Sequence, residues 1–255
     1  MPDDGVVEQD AVAAEHGARL GLEVGLAEGQ EAHPERRRQA TTYYCRESGV
    51  GTALTARNEF LPQRVGVIGL GTGTLATYGR VGDEYHIFEI NPLVLQLARG
   101  EFSFINESRA TVKVHLGDAR LSLERMEPLK LDVLAVDAFS GDSVPVHLLT
   151  KEAMELYWRH LNPDGMLAVH ISNRYLDLRN VVSGSAASAG FSGIMIYDEG
   201  NSEPYYVSNT WTLFNRDKSF FAHPNFAGTD TTELLPDKNF RSWTDDYSNI
   251  LKILN

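Results

Sequence analysis

The segment that most constrains how this chain can fold is Val65-Gly66-Val67-Ile68-Gly69-Leu70-Gly71-Thr72-Gly73-Thr74. A short β-rich stretch, Val65–Gly69, runs into glycines at alternate positions, and a helix-like stretch, Leu75–Val81, follows at once. Glycine accepts left-handed backbone angles and lets a ligand approach the main chain closely. A strand, a glycine turn and a helix in that order open a βαβ unit, with the turn at the carboxyl end of a parallel strand. The dinucleotide fingerprint is spaced G-x-G-x-x-G/A, its last small residue packing beside the pyrophosphate. Here the spacing is G-x-G-x-G and position 74 is threonine. That points away from NAD and toward a nucleoside without a pyrophosphate.

The rhythm continues downstream. Tyr85–Glu89 reads as a second strand and Leu93–Glu101 as a helix, opened by Asn91-Pro92 with proline at a first helical position. Thr111–Leu116 alternates as a third strand, Leu121–Met126 is helical, and Leu131–Asp137 is a continuous apolar fourth strand. The helix-like Thr150–Leu161 ends at the turn signal Asn162-Pro163-Asp164-Gly165, before strand Met166–Ile171. Alternating elements with short connections imply a parallel sheet with right-handed crossovers. After a helix over Leu178–Ala189 the rhythm breaks. Gly193–Tyr197 and Tyr205–Phe214 are strand-like with no helix between them, which fits a closing antiparallel pair, and Trp243–Leu254 reads as a short docking helix.

Residues 1–40 differ from the rest. Gly17, Gly21, Gly25 and Gly29 recur every four residues, which disfavours a long helix. The expectation is a flexible or loosely packed arm over 1–40, its Arg36–Arg38 cluster a solvated charge run, before one catalytic domain over 41–255. At 255 residues and 42% apolar composition the chain can bury one good core. A formal charge of −12 argues against nucleic-acid partners and suits a cationic substrate. The single cysteine, Cys45, excludes an internal disulfide and a cysteine-rich zinc site. No run reaches the roughly 20 apolar residues of a membrane helix. The start, MPDDGVVEQD, lacks a signal peptide's basic and apolar regions. The expected location is the cytoplasm.

Acidic residues stand where the strands end. Glu89 closes the second strand, 20 positions after Gly69; a carboxylate there can accept from both ribose hydroxyls. Because it ends a strand instead of filling the core, its removal is expected to spare the fold. Asp118, in Gly117-Asp118-Ala119, suits an adenine amino group, a helix N-cap for Arg120–Met126, or both. Asp137 ends the fourth strand, where open α/β sheets bind ligands, and is placed to hold a cationic substrate or accept its proton. Asp142 shapes the following turn or shares that task. The histidines, His147 and His170 among them, read as structural and not as metal ligands, and no metal cluster is visible.

These segments together resemble a family. The runs VGVIGLGTGTLA, FEINP, GDAR and DVLAVDAFSGDSVPVHLLT, with TTYYCRESGVG before them and WTDDYSNIL after, are similar to spermidine synthase-like members of the class I adenosylmethionine-dependent methyltransferase fold. The likeness spans roughly residues 40–254 and is greatest to the branch often fused to a transporter-like membrane region. It implies an α/β, Rossmann-like, doubly wound and mostly parallel seven-stranded sheet with an antiparallel last strand. It implies adenosylmethionine or its decarboxylated form as ligand, with methylthioadenosine or S-adenosylhomocysteine as product. The implied nucleoside-binding residues are Gly69, Leu70, Gly71, Thr72, Gly73, Glu89, Ile90, Asp118, Ala119 and Asp137. Asp137 and Tyr44 would be catalytic, with Tyr43 as the alternative tyrosine, and Tyr43 and Asp142 would contact the acceptor. The implied partner is a small-molecule acceptor, a polyamine among the options, and a homodimer is compatible.

Departures from the family pattern bear on chemistry. Aminopropyltransferases carry an aspartate in the middle of the glycine loop, where this chain has Thr72, so repulsion of an intact adenosylmethionine carboxylate is removed. Asp142 lies five residues after Asp137 instead of three, and the Tyr-(His/Gln)-Glu pattern reads Tyr44-Cys45-Arg46. An N-terminal β-hairpin domain is not evident in residues 1–40. Aminopropyl transfer, methyl transfer and ligand binding without catalysis therefore all stay open.

Overall fold

A computed structural model of the chain describes residues 37–56, 60–138, 145–200, 206–222, 226 and 230–255. The expected arm over 1–40 lies outside these residues except for its last four, and Asp142 lies outside them too.

Among the described residues, eight strands form one sheet: β1 Arg64–Ile68, β2 Glu84–Glu89, β3 Thr111–Leu116, β4 Leu131–Val136, β5 Leu161–His170, β6 Ser192–Asp198, β7 Asn209–Asn215 and β8 Thr231–Leu234, in the order β3-β2-β1-β4-β5-β7-β6-β8. The first five run parallel, while β7 is antiparallel to both β5 and β6. The expected seven strands and the antiparallel closing pair are therefore present. β8 is an addition at the outer edge of β6, short and largely exposed, which suits an edge that must not recruit another chain.

Among the described residues, five α-helices flank the sheet: α1 Gly49–Thr55, α2 Pro92–Gly100, α3 Ala119–Arg125, α4 Lys151–His160 and α5 Arg179–Ser188. Their starts are legible in local chemistry. Asn91 accepts from Leu93 N with Pro92 at the first helical position, Asp118 accepts from Leu121 N, and Thr150 accepts from Ala153 N. Strands covered on both faces read as continuous apolar runs because neither side meets water. In β4, Leu134 and Val136 pack with Met154, Tyr157 and Val181 on one face. Val133 and Ala135 pack with Val50, Leu54 and Tyr85 on the other.

Two expectations change. The helix expected over Leu75–Val81 is a five-residue 3₁₀ turn, Thr74–Tyr78, and Gly79 is already extended. Asp83 ends it: its carboxylate accepts from Arg80 N at 2.9 Å and from Gln63 N at 2.7 Å, pulling the chain into β2. The turn signal Asn162–Gly165 lies inside β5 as a bulge, since Leu131 pairs with Leu161 and Val133 pairs next with Met166. The tail docks as a 3₁₀ turn, Ile250–Ile253, and Trp243 is buried against the start of α4, its carbonyl accepting from Lys151 N. Among the described residues no helix is long and apolar enough to cross a membrane.

Candidate active site

Parallel pairing brings four strand ends side by side. Beyond the strands proper, Gly69 N donates to Phe88 O (2.9 Å), Gly117 N to Glu89 O (2.9 Å) and Asp137 N to Ile68 O (2.8 Å). The ladder thus continues one residue past each strand and aligns the glycine turn, Glu89, Asp118 and Asp137 along one rim. That rim spans the β1/β4 boundary, where strand order reverses and open α/β sheets bind ligands.

The glycine turn is required by space as well as by angle. Gly69 has φ +98°, and a Cβ there would lie 2.4 Å from the carbonyl oxygen of Asp137. Glu89 is buried and braces this turn. Its Oε2 accepts from Leu70 N at 3.0 Å and its Oε1 from Asn91 N at 2.8 Å. A carboxylate has about four acceptor positions, so each oxygen keeps acceptor capacity beyond these two bonds. Glu89 is thus part of the loop's packing, contrary to the expectation that a strand-end glutamate is dispensable to the fold. The neighbouring Ile90 is 69% exposed and presents an apolar surface on the rim. The Thr72 side chain is buried, its hydroxyl 3.0 Å from that of Thr74.

Asp118 does cap α3, accepting from Leu121 N at 2.8 Å, and its other oxygen lies 3.0 Å from His147 Nε2. Ala119 is buried as the first residue of α3. His147, read from sequence as structural, is half exposed beside the group proposed for adenine.

Asp137 is held by side chains on both of its carboxylate oxygens. Tyr44 donates its hydroxyl to Oδ2 at 2.6 Å, and His170 Nδ1 lies 2.6 Å from Oδ1. Both side chains of the Asp137–His170 pair are almost wholly buried. Tyr44, not Tyr43, is therefore the tyrosine on Asp137. It is carried there by segment 41–48, which crosses the strand ends. Trp211 Nε1 donates to Tyr43 O at 3.1 Å, Tyr78 donates to Tyr44 O, and Cys45 donates to Asp198 Oδ2 at 3.0 Å. Burial holds the Tyr78 phenol protonated and pushes the Cys45 thiol up to about 12, with Asp198 adding to it, so the cysteine is a donor and not a nucleophile. Gly49, opening α1, sits against Trp211, where a Cβ would come within 2.4 Å of the tryptophan Cβ. The glycines of Ser48-Gly49-Val50-Gly51 thus let α1 press the tyrosine segment onto the sheet.

The chain matches no protein-family model. Over 114 residues it is 34% identical to a polyamine aminopropyltransferase of Vibrio vulnificus (strain CMCP6), across 43% of this chain and 38% of that protein. It thus spans well under half the length of that curated relative. In three dimensions it resembles a probable spermidine synthase from Corynebacterium glutamicum ATCC 13032, with a TM-score of 0.57 at 18% identity over 78% of each chain. The fold is spermidine synthase-like. Within such a fold the glycine turn, Glu89, Asp118, Asp137 and Tyr44 are brought together, while Asp142 falls outside the described residues.

Sequence reasoning read His170 as structural and missed its place against Asp137. The histidine ends β5 beside the end of β4, and the strand-end rule applied to Glu89, Asp118 and Asp137 picks it out equally well. Among the described residues no group of three or more His, Cys, Asp or Glu is arranged to hold a metal.

Proposed function

We propose that this chain is a transferase moving an aminopropyl-type group from an adenosyl-sulfonium nucleoside to a small amine, a polyamine being the leading acceptor class. The observation that carries the reading is Asp137: a buried carboxylate at the switch point, pinned by Tyr44 and adjoining both the glycine turn and the Glu89 rim. The 34% identity to a polyamine aminopropyltransferase supports the same choice.

The residues present fit such a nucleoside. The absent Cβ at Gly69 keeps the turn against Asp137, and Glu89 retains acceptor capacity after bracing Leu70 and Asn91. Ile90 offers its exposed apolar side to the base. Asp118 meets the adenine amino group by sharing or releasing His147. When bound, the nucleoside supplies an electrophilic carbon beside its sulfonium. Tyr44 and the Asp137 carboxylate orient the attacking amine, and Asp137 accepts the proton that the amine loses. The −12 charge of the chain favours approach of a cation.

Methyl transfer from intact adenosylmethionine is the second reading, and Thr72 favours it. No carboxylate occupies the loop centre to repel the carboxylate of that ligand. Mass spectrometry of products after incubation with putrescine and either adenosylmethionine or its decarboxylated form decides the matter. Spermidine with methylthioadenosine is the expected result. A methylated amine with S-adenosylhomocysteine moves the assignment to the second reading, and binding without any product leaves a nucleoside-binding module.

A further inference from the structure

We propose that His170 is the positioning residue that aims Asp137, and that Ser172 locks His170 in the tautomer this requires; the proposal rests on the reading of Asp137 as the proton acceptor. An ionised carboxylate only accepts hydrogen bonds, so the 2.6 Å contact from His170 Nδ1 to Asp137 Oδ1 puts a proton on Nδ1. The opposite nitrogen, Nε2, lies 2.8 Å from Ser172 Oγ. That hydroxyl accepts Thr210 N at 2.7 Å and carries a proton of its own, which we assign to Nε2 because Nδ1 already holds the ring's proton toward Asp137. The bonds therefore run in one direction, from Thr210 N–H through Ser172 and His170 to Asp137. Each donor in this run has an acceptor.

The ring cannot turn away. It stacks on Trp211 with centroids 4.6 Å apart and planes at 9°, Tyr43 lies 5.4 Å off, and the imidazole is fully buried. With Oδ1 held by His170 and Oδ2 by Tyr44, the plane of the Asp137 carboxylate is set, and its free lone pairs have one direction. The order carboxylate, imidazole, hydroxyl is also that of a serine hydrolase. Here Ser172 Oγ extends the β5–β7 ladder, next to Ile171 N bonding Thr210 O at 2.9 Å, so the hydroxyl is a tether and not a nucleophile.

Two substitutions separate aiming from bulk. His170→Asn keeps an N–H donor near the position of Nδ1, whereas His170→Phe keeps an aromatic ring without one. With decarboxylated adenosylmethionine and putrescine, His170→Phe is expected to lower kcat about 10–100-fold while KM for the nucleoside stays put, and His170→Asn to recover most of the loss. Imidazole ¹⁵N spectra of the wild-type chain should show a ring protonated at Nδ1 and bare at Nε2, with the Nδ1 proton far downfield, and Ser172→Ala, which removes the donor to Nε2, should move the Nε2 signal while Nδ1 keeps its proton. The wild-type spectrum needs neither turnover nor a variant that folds, so it tests the proposal even if aminopropyl transfer fails. A ring protonated at Nε2 alone, a wild-type kcat in His170→Phe, or labelling of Ser172 by a fluorophosphonate overturns it.

Discussion

Replacing Glu89 by alanine perturbs two things at once, and the structure says how far each should move. The carboxylate accepts Leu70 N at 3.0 Å and Asn91 N at 2.8 Å while buried at 8% exposure. A hydrogen bond to a charged group contributes about 1.5–3 kcal/mol. Truncation opens the site to water, which partly satisfies the two amides, so the stability loss is about 2–4 kcal/mol and not the sum of two full bonds. Nucleoside affinity loses the ribose contacts in addition, about 1–3 kcal/mol, or a factor of about 5–150. Glu89→Gln separates the two effects. It keeps the volume and one carbonyl acceptor but turns an amide donor toward a backbone N–H, so it remains folded and still binds weakly. Urea unfolding and calorimetric titration with methylthioadenosine, run in parallel on the three proteins, supply both numbers. If Glu89→Ala loses stability as stated yet binds methylthioadenosine with wild-type affinity, Glu89 is a brace for the glycine turn and the ribose assignment is wrong.

The wild type should bind intact adenosylmethionine at least as well as the decarboxylated form, and Thr72→Asp should reverse the order. Two carboxylates about 4 Å apart repel by about 1 kcal/mol in water and about 4 kcal/mol at a surface-like dielectric; a ratio of the two affinity ratios near one would show that position 72 does not select the ligand. Gly69→Ala should cost more than about 2 kcal/mol in urea unfolding, since a left-handed angle and a 2.4 Å contact with a backbone oxygen act together; a near-neutral effect contradicts the close approach of the turn to Asp137. Stability should fall as pH drops from 7.5 to 5.5. Burial lowers the folded-state pKa of His86, His115 and His160, so the unfolded chain binds protons first, below about 6.5. Glu84, held down at about 2 chiefly by Lys113 and then Arg64, loses its contribution only between about 4.5 and 2, outside that window. Urea midpoints that do not change between pH 7.5 and 5.5 contradict the histidine assignment.

Much of the fold was legible because it is written in short-range patterns. The apolar runs of β1 and β4, the helix starts at Asn91-Pro92 and Asp118, and the loss of helical rhythm after residue 189 each depend on neighbours within one turn or one strand. The ligand rim was legible for a related reason. In a parallel α/β unit every strand ends at the same side, so a carboxylate at a strand end is placed by topology alone, and Glu89, Asp118 and Asp137 follow. The local misreading at Leu75–Val81 arose from contacts across sequence: Asp83 reaches Gln63 and Arg80, and the would-be helix stops early. The same holds for the site. Tyr44 lies 93 residues from the aspartate it touches, and His170 lies 33 away. No periodicity links them, because their meeting depends on α1 pressing segment 41–48 onto Trp211 and on β5 pairing beside β4. The sequence by itself determined the seven strands β1 to β7 and which acidic residues stand where the parallel ones end, whereas the edge strand β8 came only with the structure. Only tertiary packing decided which tyrosine faces Asp137, which histidine holds it, and that Glu89 supports the turn it was expected merely to adjoin.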